Sequence, residues 1–214
     1  MFWIHFWNIF TKITAWPVQF LCFRTKIHYE NKAVQDRRIS GPALIISNHT
    51  SIFDYAVYIF VFIFRTLRVQ MAEVLFEKKI LSLYLKMMGG IRVDRNTHDF
   101  GFVTKSLSIL EKGGVVGIFP ESRIPKPGEE RPLEFKTSAA YIALLSGVPV
   151  IPVVTNGSYF CRKRAEVLIG KPMDVRELAS DSRSEKENIQ YVSEAMRARI
   201  KSLTEQLKAL EKKA

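Results

Sequence analysis

His49 and Asp54 stand five positions apart in Asn48-His49-Thr50-Ser51-Ile52-Phe53-Asp54, directly after the apolar run Ala43-Leu44-Ile45-Ile46. An imidazole beside a carboxylate is what general-base chemistry on a hydroxyl requires. One ring nitrogen takes the proton, while the carboxylate orients the other and balances the charge that develops. Two further polar clusters also follow short apolar runs: Asp94 and Arg95 after Ile91-Arg92-Val93, and Glu121, Ser122 and Arg123 after Val115 to Phe119. An H-x-x-x-x-D pair alone also reads as a helix cap beside a loop histidine. The other clusters, each at the end of an apolar run, argue that the residues converge on one site.

The elements around them must bring that about. Positions i and i+5 lie about 140° apart on a helix and do not face each other. His49 therefore belongs before a helix and Asp54 in its first turn. Ser51 as N-cap would put Asp54 at the third helical position, in a capping box. Short apolar runs at 43–47, 68–72, 91–95, 115–119, 148–154 and 165–169 read as strands. Helical patterns fall at 55–64, 74–88, 97–112 and 135–146, and segment 124–134, rich in Pro and charge, reads as a surface loop. This alternation predicts an α/β fold with a largely parallel, mixed sheet flanked by helices. Sites in such sheets collect beyond the carboxyl ends of the strands. The prolines of Val148-Pro149-Val150-Ile151-Pro152-Val153 read as a stiff sheet edge.

The chain divides into a segment 1–23 and an α/β domain 24–214. The first segment, MFWIHFWNIFTKITAWPVQFLCF, holds all three Trp. His5, Asn8, Lys12 and Gln19 share one narrow stripe of a helical wheel, the rest is apolar, and Pro17 should kink or split the helix. Such an amphipathic segment reads first as a helix lying in a membrane interface, and second as a short span. Basic residues follow between 24 and 42, among them Arg24, Lys26, Lys32, Arg37 and Arg38, where anionic lipid headgroups would attract them. At the other end, residues from about 185 to 212 read as an amphipathic helix with Ile189, Met196, Ile200, Leu203, Leu207 and Leu210 inward.

Hydrophobic residues at 47% of 214 exclude global disorder, and a formal net charge of +11 calls for an anionic partner. A nucleic-acid partner is not expected, because no basic recognition helix or strand of stacking aromatics is present. Cys22 and Cys161 are far apart, lack metal spacing, and read as unpaired thiols of a reducing compartment. No metal and no cofactor is expected.

Four blocks in order resemble the glycerolipid acyltransferase family, which includes bacterial 1-acylglycerol-3-phosphate acyltransferases. They are Asn48 to Asp54, Gly90-Ile91-Arg92-Val93-Asp94-Arg95, Phe119-Pro120-Glu121-Ser122-Arg123, and Val148 to Val153. The resemblance covers roughly residues 40–155. It implies acyl transfer from acyl-CoA or acyl carrier protein to the hydroxyl of an anionic lysophospholipid, most often 1-acylglycerol 3-phosphate giving phosphatidic acid. His49 would be the general base and Asp54 its orienting partner. Arg95 and Arg123 would hold the acceptor phosphate, and Glu121 would bind acceptor or shape the site. Gly90, Arg92, Ser122 and Lys136 are further acceptor-side candidates. The resemblance also implies a place at the bilayer, on the cytoplasmic face of the inner (plasma) membrane.

Three departures stand out. Ser122 replaces the usual Gly, Glu121 and Arg123 are two rather than three apart, and Arg92 takes a commonly apolar place. The residues leave other acceptors open, such as another lysophospholipid, glycerol 3-phosphate or an amino-acid lipid. A non-enzymatic, basic peripheral membrane protein is the alternative of another class.

Overall fold

In a computed structural model, which describes residues 2–94 and 100–212, seven strands form one sheet with helices on both faces. The strands are β1 (Lys26–Tyr29), β2 (Ala43–Ser47), β3 (Leu67–Ala72), β4 (Ile91–Val93), β5 (Val115–Ile118), β6 (Val150–Thr155) and β7 (Glu166–Ile169). Their order is β1-β7-β6-β2-β5-β3-β4. All neighbours pair in parallel except β6 and β7, so the sheet is mixed and mostly parallel as expected. The helices are α1 (Phe2–Thr14), α2 (Trp16–Val18), α3 (Asp54–Val61), α4 (Lys79–Met87), α5 (Gly101–Glu111), α6 (Ser138–Ser146) and α7 (Glu185–Glu211).

Side chains alternate across a strand, and β2 shows what that does here. Leu44 and Ile46 pack under α5, α6 and α7, and Ala43 and Ile45 pack on the opposite face under α3; all four are buried. With both faces covered, a central parallel strand must be apolar throughout. This is why β2 reads as an unbroken hydrophobic run. The terminal helix α7 begins on a complete capping box between Ser184 and Glu187, and buries Met196, Ile200, Leu203 and Leu207.

Several elements differ from the pattern in the sequence. The helix expected over 74–88 is two pieces, a 3₁₀ turn Glu73–Phe76 and then α4, because the backbone at Lys78 is extended (ψ 114°) between them; Val74 and Leu75 line a cavity. The helix expected over 55–64 starts at Asp54 and stops at Val61, where Arg37 donates from Nε to the Val61 carbonyl (3.0 Å) and from Nη2 to that of Phe60 (2.6 Å). Arg37 thus serves the negative end of that helix. Of the helix expected over 97–112, the described part is α5, and residues 95–99 lie outside the described residues.

The Pro-rich strand is not an edge. β6 lies between β7 and β2, fully buried. Pro152 is tolerated because its nitrogen faces β7 just before their pairing begins at Val153 and Ile169, while its carbonyl accepts from Gly170 N (2.9 Å). The cost is one missing bond at the end of a ladder.

The N-terminal segment breaks after Thr14, and a single wide π-type turn, Gln19–Phe23, leads into β1. Of its polar stripe, Asn8 and Lys12 point into the protein, Gln19 is half-buried, and His5 stays exposed. Asn8 donates to the Met88 carbonyl (3.1 Å), and Lys12 Nζ donates to the carbonyls of Ile63 (2.9 Å) and Arg65 (2.8 Å). The apolar side is left outward, with Trp3 69%, Ile9 58% and Phe20 68% exposed. Among the described residues no helix is long and apolar enough to cross a membrane.

Burial pulls Lys12 down from the ordinary lysine range to about 8. Holding it charged is a penalty on the docked helix that is full below pH 8 and fades as pH rises toward the unfolded value near 10.5. The stability of the protein relative to Lys12→Met should therefore shift in favour of the native residue between pH 7.5 and 10, by at most about 3 kcal/mol. Denaturant titrations of both proteins across that range check it. A flat difference would show that the carbonyl cage cancels the burial cost.

Candidate active site

The site forms where three parallel strands end. β2 runs into Asn48 and His49, β5 into Phe119, Pro120 and Glu121, and β6 ends at Thr155. Asn48 ties two of these ends together: its Nδ2 donates to the Thr155 carbonyl and its Oδ1 accepts from Thr155 N, both at 2.9 Å.

His49 Nδ1 lies 2.8 Å from Asp54 Oδ2. The pair forms as expected, with His49 before α3 and Asp54 in its first turn, but Ser51 is not the N-cap. Phe53 takes that place, which makes Asp54 the first helical residue. The turn is tighter than a capping box. Ser51 Oγ accepts from Phe53 N (3.2 Å), and Asp54 reaches back over it. Its Oδ2 accepts from Thr50 N (2.7 Å) and Ser51 N (2.9 Å), and its Oδ1 from Thr50 Oγ1 (2.7 Å) and the Tyr159 hydroxyl (2.7 Å). With His49 that makes five donors on a fully buried carboxylate. Such a group has no rotational freedom left, so the imidazole bound to it has little.

The ring is also held by its face. It stacks on Phe119 at 4.4 Å and 20°, and Phe119 stacks on Tyr58 at 6.1 Å and 16°. Nδ1 is thus committed to Asp54, and Nε2 has no hydrogen-bond partner among the described residues. His49 is among the residues lining a 490 Å³ cavity whose walls are mostly apolar, including Val69, Met71, Leu75, Leu81 and Leu85. That volume is in the range of small-molecule sites, and its lining suits an apolar ligand.

Glu121 is buried and shapes the site. Its Oε1 accepts from His49 N and its Oε2 from Leu133 N, both at 2.9 Å. It thereby fastens the backbone of His49 to the end of the 124–134 loop. Glu121→Ala should leave two backbone donors unpaired, at about 1–3 kcal/mol each. It should also loosen His49 enough to cut turnover by about 100-fold. Denaturant melts and turnover of the same preparation check both numbers.

The remaining candidates scatter. Ser122 and Arg123 line the cavity beside His49. Ser122 takes a left-handed backbone, φ 60°, a conformation in which a glycine is at ease. The Arg123 guanidinium faces the cavity edge, half exposed, and makes two bonds to Glu129, 2.7 and 2.9 Å. That pairing, with the Lys126 amide, holds the Glu129 carboxyl down at about 2. Arg92 points away: Val93 lines the cavity, while Arg92 is exposed and lies 3.6 Å from Asp94. Gly90 sits behind the wall, where a Cβ would meet the Leu85 carbonyl at 3.1 Å and Met71 Sδ at 3.3 Å. Lys136 gives its backbone N–H to the Pro120 carbonyl (2.9 Å), and its exposed side chain is not part of the cavity lining. Arg95 lies outside the described residues. Tyr159, 105 positions from the carboxylate it touches, and the stacking role of Phe119 carry no signal in the sequence.

Known proteins share this arrangement of strands and helices. The family described as Acyltransferase matches residues 24–156. A chloroplastic 1-acyl-sn-glycerol-3-phosphate acyltransferase of Brassica napus is 27% identical over 119 residues, covering 55% of this chain and 33% of that protein. The chain thus matches about a third of the length of that relative. The crystal structure of the 1-acyl-sn-glycerophosphate (LPA) acyltransferase PlsC from Thermotoga maritima superposes with a TM-score of 0.62, at 21% identity, over 92% of this chain and 78% of that one. At that identity the likeness speaks for the fold, and it includes the helices at both ends. The family match spans more than half of the chain and contains His49, Asp54, Glu121 and Arg123. This chain belongs to the acyltransferase family.

Proposed function

We propose that the protein transfers an acyl group from a thioester, acyl-CoA or acyl carrier protein, to the free hydroxyl of 1-acylglycerol 3-phosphate, giving phosphatidic acid. The observation that carries this reading is the imidazole itself: Nδ1 fixed on Asp54, Nε2 open among the described residues, and the ring in the lining of an apolar cavity. His49 Nε2 takes the proton of the acceptor hydroxyl as its oxygen attacks the thioester carbonyl. The carbonyl π electrons move onto oxygen, return as the carbon–sulfur bond breaks, and the departing thiolate receives the proton from His49. Asp54 balances the imidazolium in between. The acyl chain lies along Met71, Leu81 and Leu85. Arg123 meets the acceptor phosphate by exchanging part of its pairing with Glu129, and Arg95 joins it.

The bilayer supplies the acceptor. The outward aromatic side of α1 suits a membrane interface. α4 adds to it: Leu81 and Leu85 line the cavity while Ile80 is 88% and Leu83 61% exposed, next to Lys78, Lys79 and Lys86. A helix apolar on both sides, flanked by lysines, fits a lipid surface of negative charge. The face of the membrane is the cytoplasmic one, where the thioester donors are.

The test is purified protein with a thioester donor, vesicles, and a panel of lysolipid acceptors, with released thiol and new lipid both measured. Thiol release that depends on 1-acylglycerol 3-phosphate and matches phosphatidic acid formed supports the reading. Preference for another acceptor corrects the substrate. Release without any acceptor makes the protein a thioesterase, and no release with any donor overturns the reading.

A further inference from the structure

We propose that Tyr159 is a positioning residue for the His49–Asp54 pair, the last link of a hydrogen-bond chain that holds the second oxygen of Asp54. The proposal rests on the acyl-transfer reading of that pair. The Tyr159 hydroxyl donates to Asp54 Oδ1 at 2.7 Å and lies 3.0 Å from Thr155 Oγ1. One phenolic proton serves one acceptor, so Thr155 must donate to the Tyr159 oxygen. Thr155 Oγ1 accepts in turn from Gly157 N at 3.3 Å. The chain therefore runs from Gly157 N–H through Thr155 and Tyr159 to Asp54, whose other oxygen meets His49 Nδ1 at 2.8 Å. Bonds linked in this way polarise one another in a buried setting. Burial, with the Asp54 charge beside it, pushes the Tyr159 phenol well above the ordinary tyrosine range, so the hydroxyl stays a donor.

The division of labour is visible in the two oxygens of Asp54. Local backbone amides of Thr50 and Ser51 hold Oδ2 along with His49. Among the described residues, two hydroxyls hold Oδ1, those of Thr50 and Tyr159. A carboxylate gripped well on one oxygen and lightly on the other can still rotate about its own axis, and Tyr159 removes that freedom.

The chain around Tyr159 is built to keep it there. Its ring meets Phe23 edge-on at 5.4 Å, and Phe23 also packs on Phe160 at 5.0 Å and Phe53 at 6.4 Å. Phe53 directly precedes Asp54, so one aromatic cluster braces both partners of the bond. Phe160 N donates to the Cys22 carbonyl (3.1 Å) and Ala165 N to that of Phe23 (2.9 Å). The segment is thereby fastened to the end of the N-terminal helices. Gly157, at φ 70°, lets the backbone pass Thr50 closely: a Cβ there would lie 2.7 Å from Thr50 Oγ1. Phe160 holds a left-handed φ of 56° although it is not glycine, a strained conformation that the cluster sustains.

Tyr159→Phe keeps the ring and its packing and deletes the hydroxyl. We expect kcat to fall about 10- to 100-fold with KM for donor and acceptor within twofold, and the unfolding transition to stay cooperative. Thr155→Val should give a smaller loss, and the double variant should be no worse than Tyr159→Phe alone, because both act through one path. Wild-type kcat in Tyr159→Phe, or a loss accounted for by the unfolded fraction, overturns the proposal. An NMR measurement separates it from the reading it rests on. Exchange of the His49 Nδ1 proton with water should be at least fivefold faster in Tyr159→Phe, whether or not the chosen acceptor turns over. Unchanged exchange overturns the positioning role even if acyl transfer is established, and faster exchange with no transfer by the wild type supports positioning while the acyl-transfer reading falls.

Discussion

Replacing His49 with alanine should lower acyl transfer by about 10³-fold or more, with the protein still folded. The expectation follows from what the side chain does and does not hold. A positioned general base contributes about 10² to 10⁴ in rate, and no other described residue bears an imidazole near the cavity: His5 bonds to Thr66 and His28 to Glu166. The structural loss is small by comparison. The side chain is 20% exposed and gives up one stack on Phe119 and one of the five donors to Asp54. An aromatic pair is worth about 0.5–1.5 kcal/mol, and the other four donors still hold the carboxylate. Activity on a lysolipid acceptor, with a denaturant melt of the same preparation, checks both halves. Transfer within tenfold of the wild type would remove His49 from the mechanism.

Asp54→Asn should cost about 10²- to 10⁴-fold in turnover with a modest loss of stability, and it separates orientation from charge. The amide oxygen can occupy the place of Oδ2, where it faces the amides of Thr50 and Ser51 and His49 Nδ1. The NH₂ group then meets two hydroxyls, Thr50 and Tyr159, which can turn to accept. Orientation of the ring survives in that arrangement, and the negative charge opposite the imidazolium is lost. Asp54→Ala removes both, and leaves five donors without an acceptor in a fully buried place. Unpaired buried donors cost about 1–3 kcal/mol each, so Ala should unfold far more readily than Asn. If Asp54→Asn turns over within threefold of the wild type, the charge of Asp54 has no part in the reaction.

Much of this protein was legible in its residues. Unbroken apolar runs mark strands that are buried on both faces, and β2, β5 and β6 lie where such runs stand. A spacing of five excludes a shared helical face, and this alone placed His49 before α3 and Asp54 at its start. The apolar spacing of Met196, Ile200, Leu203 and Leu207 marks α7, and the structure buries those four residues. Such features are local: they depend on period and spacing within a few residues.

What the residues could not decide was which face of an element meets which neighbour. The stripe of His5, Asn8 and Lys12 has a pattern in sequence but no direction. The carbonyls of Ile63, Arg65 and Met88, waiting at the ends of other elements, draw Asn8 and Lys12 inward and leave the aromatic side outward, with His5 still exposed beside Thr66. The prolines of β6 read as an edge because pairing partners are set by topology, and the topology put β6 between two strands. Glu121 offers two acceptors, and nothing in Phe-Pro-Glu-Ser-Arg says that both go to backbone amides, 72 positions back and 12 positions on. The grip of Tyr159 on Asp54 spans 105 positions and exists only because β6 ends beside β2. The sequence by itself determined the pair that can move a proton and the elements that carry it. Tertiary structure decided what holds the pair still, because hydrogen bonds and packing over such separations form only once the sheet has brought its strand ends together.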